Sequence, residues 1–86
     1  MIYKDMNLNK ITRLYPAALI ELDGEIAEMS LEWMEMNEGK VKLLKYILVF
    51  DFTLHGSEEK NRTILEYKQK KELIVAMNEV ANCFED

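Results

Sequence analysis

The sequence predicts an all-α protein, a helical hairpin or three-helix bundle built on a long central heptad helix. Three observations point there. Glu, Leu, Lys, Met and Ala dominate the 86 residues, with three Gly and one Pro, so strong helix formers are common and breakers rare. Leu19, Leu22, Ile26, Met29, Trp33, Met36, Lys40, Leu43, Ile47, Phe50 and Leu54 recur in steps of three and four, and ten of these eleven are apolar. That is the pattern of a helix burying one seam. Finally, His55-Gly56-Ser57 combines a residue favoured just past a helix end with a favoured N-cap.

The elements follow in order. Residues 4–14 form a short helix, with Leu8, Ile11, Leu14 and Tyr15 on its apolar side. Tyr15 precedes Pro16 and is pushed from helical dihedrals, which places a bend at 15–16. Pro16 then opens the central helix, 16–54, in the first turn where its missing N–H costs nothing. A second stripe, Leu31, Met34, Val41, Leu44 and Leu48, makes the apolar face wider than a two-stranded coiled coil needs. Gly24 and Gly39 each cost about 1 kcal/mol in a helix interior. A break at Gly39 gives helices at 16–38, 40–55 and 58–84. In the last helix Glu58 and Glu59 complement the dipole of the first turn. Ile64, Tyr67, Ile74, Met77, Ala81 and Phe84 line one side, and Leu73, Ala76 and Val80 widen it.

An alternative α+β reading places a short antiparallel meander before one C-terminal helix. Asp23-Gly24 is a strong hairpin signal, 37–40 is a second turn candidate, and 46–54 has high strand propensity. The strands would be 17–22, 25–36 and 40–54. Against it, alternation fails at Trp33-Met34 and Leu43-Leu44, and the heptad keeps its phase across both glycines.

Composition narrows the function classes. The length gives one domain, residues 1–86, and an apolar content of 49% is too high for disorder. One Cys and one His exclude an intrachain disulfide and the usual zinc sites. No signal-like or membrane-length apolar run is present, and a lone Cys fits a reducing, cytoplasmic setting. The formal charge of −5 argues against direct nucleic-acid binding.

The charge is unevenly placed. Glu21, Asp23, Glu25, Glu28, Glu32, Glu35 and Glu38 fall within 17–38 with no basic residue, whereas Lys60, Arg62, Lys68, Lys70 and Lys71 stand against Glu66 alone in 60–71. A helix over 16–54 would be roughly 58 Å long at 1.5 Å per residue. The last helix, folded back at Gly56, covers about residues 28–54, so the oligomer seam of Leu19, Leu22, Ile26, Met29, Trp33 and Met36 lies bare from Leu19 to Met29. An uncovered apolar seam predicts a homo-oligomer.

Glu21, Glu25, Glu28, Glu32 and Glu35, spaced 4, 3, 4 and 3, form a carboxylate ladder beside that seam. It reads as a solvated face, as a docking face for a basic partner, or as a metal site. Glu25-x-x-Glu28 and Glu32-x-x-Glu35 resemble the first half of the signature of the small helical nucleotide pyrophosphohydrolases. Their later Glu-x-x-Asp is met by Leu48 before Asp51, one ligand short. His55 reads as a basic residue in a last helical turn, Cys83 as a packed thiol, Trp33 as core or interface, and Lys68–Lys71 as too short a basic patch for nucleic acid. No catalytic residue, cofactor or metal is assigned. The expected function is therefore a non-enzymatic interaction module acting by helix–helix packing, an adaptor or assembly factor. Two alternatives stand beside it. One is an inhibitor of the phage or mobile-element type, docking its acidic helix face on a basic, nucleic-acid-binding host protein. The other is a metal-dependent helical nucleotide hydrolase.

Overall fold

The computed structural model describes residues 2–56 and 58–84. It overturns the all-α expectation, the coiled coil and the helical hairpin, and agrees with the α+β alternative in class. The elements are β1 (Ile2–Tyr3), β2 (Met6–Asn7), a 3-10 turn (Leu8–Lys10), β3 (Arg13–Leu22), β4 (Glu25–Met29), α1 (Leu31–Met36), β5 (Lys42–Asp51), β6 (Arg62–Tyr67) and α2 (Lys70–Phe84). Strands β3 to β6 form one antiparallel sheet in the order β4-β3-β5-β6. The longest dimension is 40 Å, well short of the expected rod.

The two glycines inside the expected helix are where it fails. Asp23 and Gly24 have φ of 52° and 81°, the pair of left-handed residues that a tight two-residue hairpin requires. Gly39 has φ of 88° and follows the end of α1, where the Asn37 amide side chain donates to the Trp33 carbonyl at 2.8 Å. Between them Ser30 caps α1, accepting from the Trp33 N–H at 3.1 Å.

Strand β5 explains the false heptad. Tyr46 to Phe50 is an apolar run because this strand is central and both its faces are covered. Leu48 and Phe50 join the core under α2, while Ile47 and Val49 join a smaller cluster with Ala17 on the other face. A three-residue step along a strand reverses the face. The expected seam pair Ile47 and Phe50 therefore points in opposite directions. The anticipated meander also needs correcting in its order, since β5 pairs with β3 rather than with β4.

Pro16 lies inside β3 rather than opening a helix. The residues flanking a two-residue hairpin loop form a hydrogen-bonded pair, so even-numbered residues of β3 turn their backbone groups toward β4. That strand ends opposite Ala18, and Pro16 beyond it forfeits no ladder bond.

The N-terminal helix expected over 4–14 is also absent. Lys4 and Asp5, both at positive φ, turn the β1–β2 hairpin instead. It brings Tyr3 onto Phe50, with ring centroids 6.0 Å apart and 20° between planes, and Leu8 into the core. At the other end, residues 58–61 are not helical and 62–67 are strand, because Thr63, Ile64 and Tyr67 suit a pleated surface beside β5. Gly56 forms a turn after β5, while Ser57, the expected N-cap, lies outside the described residues. Helix α2 begins at Lys70, with the Glu72 carboxylate accepting from the Gln69 N–H at 3.2 Å, half of a capping box. Its core-facing residues are Leu73, Ala76 and Val80. No helix among the described residues is long and apolar enough to cross a membrane.

Candidate docking surface

The five ladder carboxylates do not share a helix face. Glu21 lies on β3 opposite Lys42. Glu25 and Glu28 lie on β4, and their odd spacing sends them to opposite faces of the sheet. Glu32 and Glu35 are on α1. Two of the five are bound within the chain: Glu28 to Arg62 at 3.0 Å, and Glu35 to Lys70. The Glu35 hydrogen bond raises the Lys70 ammonium above its ordinary value, with the charge attraction adding to it.

The seam is likewise dispersed. Leu19 packs beside Ala17, Ile47 and Val49, and Met29 and Trp33 pack around Ala18, Ile20 and Met34 on the other face. Leu22, Ile26 and Met36 stay in solvent, at 41%, 67% and 81% exposure. These three exposed apolar residues belong to the same stretch as Asp23, Glu25, Glu32 and Glu38, all exposed. The β3–β4 hairpin end and α1, which packs on β3 through Met34, thus carry both carboxylates and bare apolar groups. The Lys/Arg-rich block runs along β6, the edge strand opposite β4, and into the start of α2, and its Arg62 and Lys70 reach Glu28 and Glu35 of the acidic stretch.

A second constellation was invisible in the sequence. On the face away from α2, the Arg62 guanidinium donates to the Tyr15 hydroxyl at 2.6 Å and to Glu28 at 3.0 Å. Arg13 lies over the Tyr15 ring, 4.8 Å from its centroid. Together they tie β6, β3 and β4 across the sheet, beside the small Ala17/Ile47/Val49 cluster. Burial pushes the Tyr15 hydroxyl up, Glu28 adds to this, and Arg62 partly offsets it. No local signal marks the network, because Tyr15 and Arg62 are 47 residues apart. Only the strand register brings them together.

Asp51 closes the same end of the sheet, paired in register with both Arg13 and Arg62. Hydrogen bonds from Thr53, including its N–H at 2.9 Å, hold the Asp51 carboxyl below its ordinary value, and the two arginines contribute less. The folded state therefore favours the ionised form. The resulting stability is present above the unfolded carboxyl's pKa, near 3.9, and is lost as pH falls through the lower folded value. Asp51→Asn is expected to flatten the acid limb of a stability–pH curve below about pH 4. An unchanged limb in chemical denaturation would contradict this.

His55 is exposed in the turn before Gly56, not in a helix end. Cys83 is partly buried against the core. Among the described residues no three His, Cys, Asp or Glu side chains gather as metal ligands. Two concavities flank α2. One, lined by Leu14, Pro16, Met77 and Phe84 among others, measures about 480 Å³. The other is lined by Tyr3, Tyr67, Glu72 and Glu79 among others. No family model, curated protein or solved structure matches the chain.

Proposed function

We propose that the protein is a non-enzymatic docking protein. The acidic surface of its β3–β4 hairpin and α1 binds the basic surface of a nucleic-acid-binding protein and competes with nucleic acid there. One observation carries this reading. Residues 17–38 hold seven carboxylates and no basic group, and Asp23, Glu25, Glu32 and Glu38 are exposed along the β3–β4 hairpin and α1, in the same stretch as the bare Leu22, Ile26 and Met36. Carboxylates steer such a surface toward a positive one and set its orientation. Exposed apolar groups among them supply the desolvated contacts that long-range charge does not. Glu28 and Glu35 serve the fold through Arg62 and Lys70, so the docking charges are Asp23, Glu25, Glu32 and Glu38.

The test compares wild type with a Glu25→Lys/Glu32→Lys/Glu38→Lys variant as bait for proteins of the native cell, with retained proteins quantified. Wild type is expected to retain basic proteins that about 0.5 M salt releases and that added nucleic acid displaces. The variant, with unchanged circular dichroism, is expected to lose them at least tenfold. Equal retention by both baits, or partners indifferent to nucleic acid, would remove the proposal.

A further inference from the structure

The sheet has two edges, and they differ in kind. Strand β4 is five residues long, acidic, and has Glu28 occupied by Arg62. Strand β6 is six residues long, RTILEY, and lacks proline and glycine; its register with β5 runs without a shift. These are features of an edge open to another strand.

The backbone phase of β6 is set by one bond. The Phe52 N–H donates to the Asn61 carbonyl at 2.7 Å, so Asn61 turns its backbone groups toward β5. Alternation then turns those of Thr63 and Leu65 the same way. Arg62, Ile64 and Glu66 direct their N–H and C=O groups outward. Their side chains share the sheet face away from α2.

We infer that β6 pairs with β6 of a second copy of this chain, antiparallel, about a two-fold axis at Ile64. In this register Ile64 faces Ile64 of the other copy, and on both sides of the axis Arg62, bound to Glu28 within its own chain, faces the other copy's Glu66, bound to Lys45 within its own. All three outward residues meet as hydrogen-bonded pairs, giving about six new backbone bonds. Like apolar groups stand directly across from one another, and the Glu28–Arg62 and Glu66–Lys45 ion pairs meet with opposite charges adjacent, the arrangement that stabilises cross-strand pairs. Neighbouring registers do worse: a shift by two residues sets Ile64 against Glu66 or against Arg62. Ile64 is 43% exposed, and its burial adds to the pairing. The contact is isologous and closes at two copies.

The dimer is an eight-stranded antiparallel sheet with β6 at its middle and the two β4 strands at its outer edges. Those edges lie roughly 34 Å apart at the usual strand spacing. The inference does not depend on the proposed docking function, and its test reads mass rather than partner binding.

Ile64→Pro separates the contact from the fold. The Ile64 N–H faces outward, so proline there removes no bond of the isolated chain's sheet, yet it deletes the two central bonds of the dimer. Sedimentation equilibrium is expected to give a dimer for wild type. It is expected to give at least about tenfold weaker association for Ile64→Pro, with circular dichroism unchanged. Glu66→Lys, which sets Lys against Arg62 twice, is expected to weaken the dimer to a similar degree and in a salt-dependent way. In a Cys83→Ser background, Ile64→Cys is expected to oxidise to a covalent dimer, since paired Cα atoms lie about 5.5 Å apart. Ile26→Cys on the β4 edge is expected to stay monomeric under the same conditions. A monomeric wild type at about 100 μM, a mass growing beyond two copies, or a dimer untouched by both Glu66→Lys and Ile64→Pro would overturn the inference. So would preferential cross-linking through position 26.

Discussion

Phe50→Ala is expected to destabilise the protein by about 3–5 kcal/mol. Phe50 is fully buried in the central strand. It lies between Leu14 of β3 and Thr63 of β6 in register, and the Tyr3 ring stacks on it. Truncation removes a large apolar surface and leaves a cavity that strands held on both sides cannot close. A domain of this size has about 5–15 kcal/mol in all, so the variant sits near the folding threshold. Urea unfolding with an unchanged slope measures the loss. The N-terminal hairpin, held by the Tyr3 contact, is expected to lose hydrogen-exchange protection first. A loss below about 1.5 kcal/mol would place Phe50 outside a tightly packed core.

The second large effect separates two neighbours on α2. Leu73→Ala is expected to cost about 2–5 kcal/mol and Ile74→Ala less than about 1. Leu73 is fully buried, with Ala76 and Val80 following it along the same stripe, whereas Ile74 is 47% exposed. The sequence places Ile74, Met77 and Ala81 on the principal side of this helix, with Leu73, Ala76 and Val80 widening it. The sheet decides otherwise, because α2 has to cover Leu48, Phe50 and Tyr3, and the stripe through Leu73 does so. Thermal unfolding of the two variants distinguishes the faces, and equal losses would contradict the observed orientation.

Much of the fold was written locally. Asp23-Gly24 is a hairpin in the structure, as its dipeptide signal requires, and 40–54 contains a strand. The C-terminal helix forms, although it starts at Lys70 rather than at 58. The central error came from β5 and β3. A strand covered on both faces loses its alternation, and an unbroken apolar run fits a three-four pattern as readily as a two-residue one. Glu and Met lowered the apparent strand propensity of 25–36. There β4 occupies only the first five residues and the six residues of α1 follow a Ser30 cap. Strand β6 was missed because it borders helix formers on both sides, and pairing with β5 overrides a weak local preference.

The candidate site divides along the same line. The acidic block of 17–38 and the basic block of 60–71 are properties of the chain, and any fold inherits them. Their neighbours are not. Glu28 meets Arg62, which is 34 residues away, and Glu35 meets Lys70, which is 35 away. Each pairing exists because hydrogen-bonded register brings distant strands and helices side by side. The sequence by itself determines the turn at 23–24, the amphipathic C-terminal helix and the segregation of charge, since these depend on residues within a few positions of one another. Which carboxylates are tied up by arginine and lysine, which apolar groups remain bare, and which strand is left as a free edge are decided only by the tertiary structure. A strand satisfies its backbone through partners far away in the chain, and no periodicity within the strand names them.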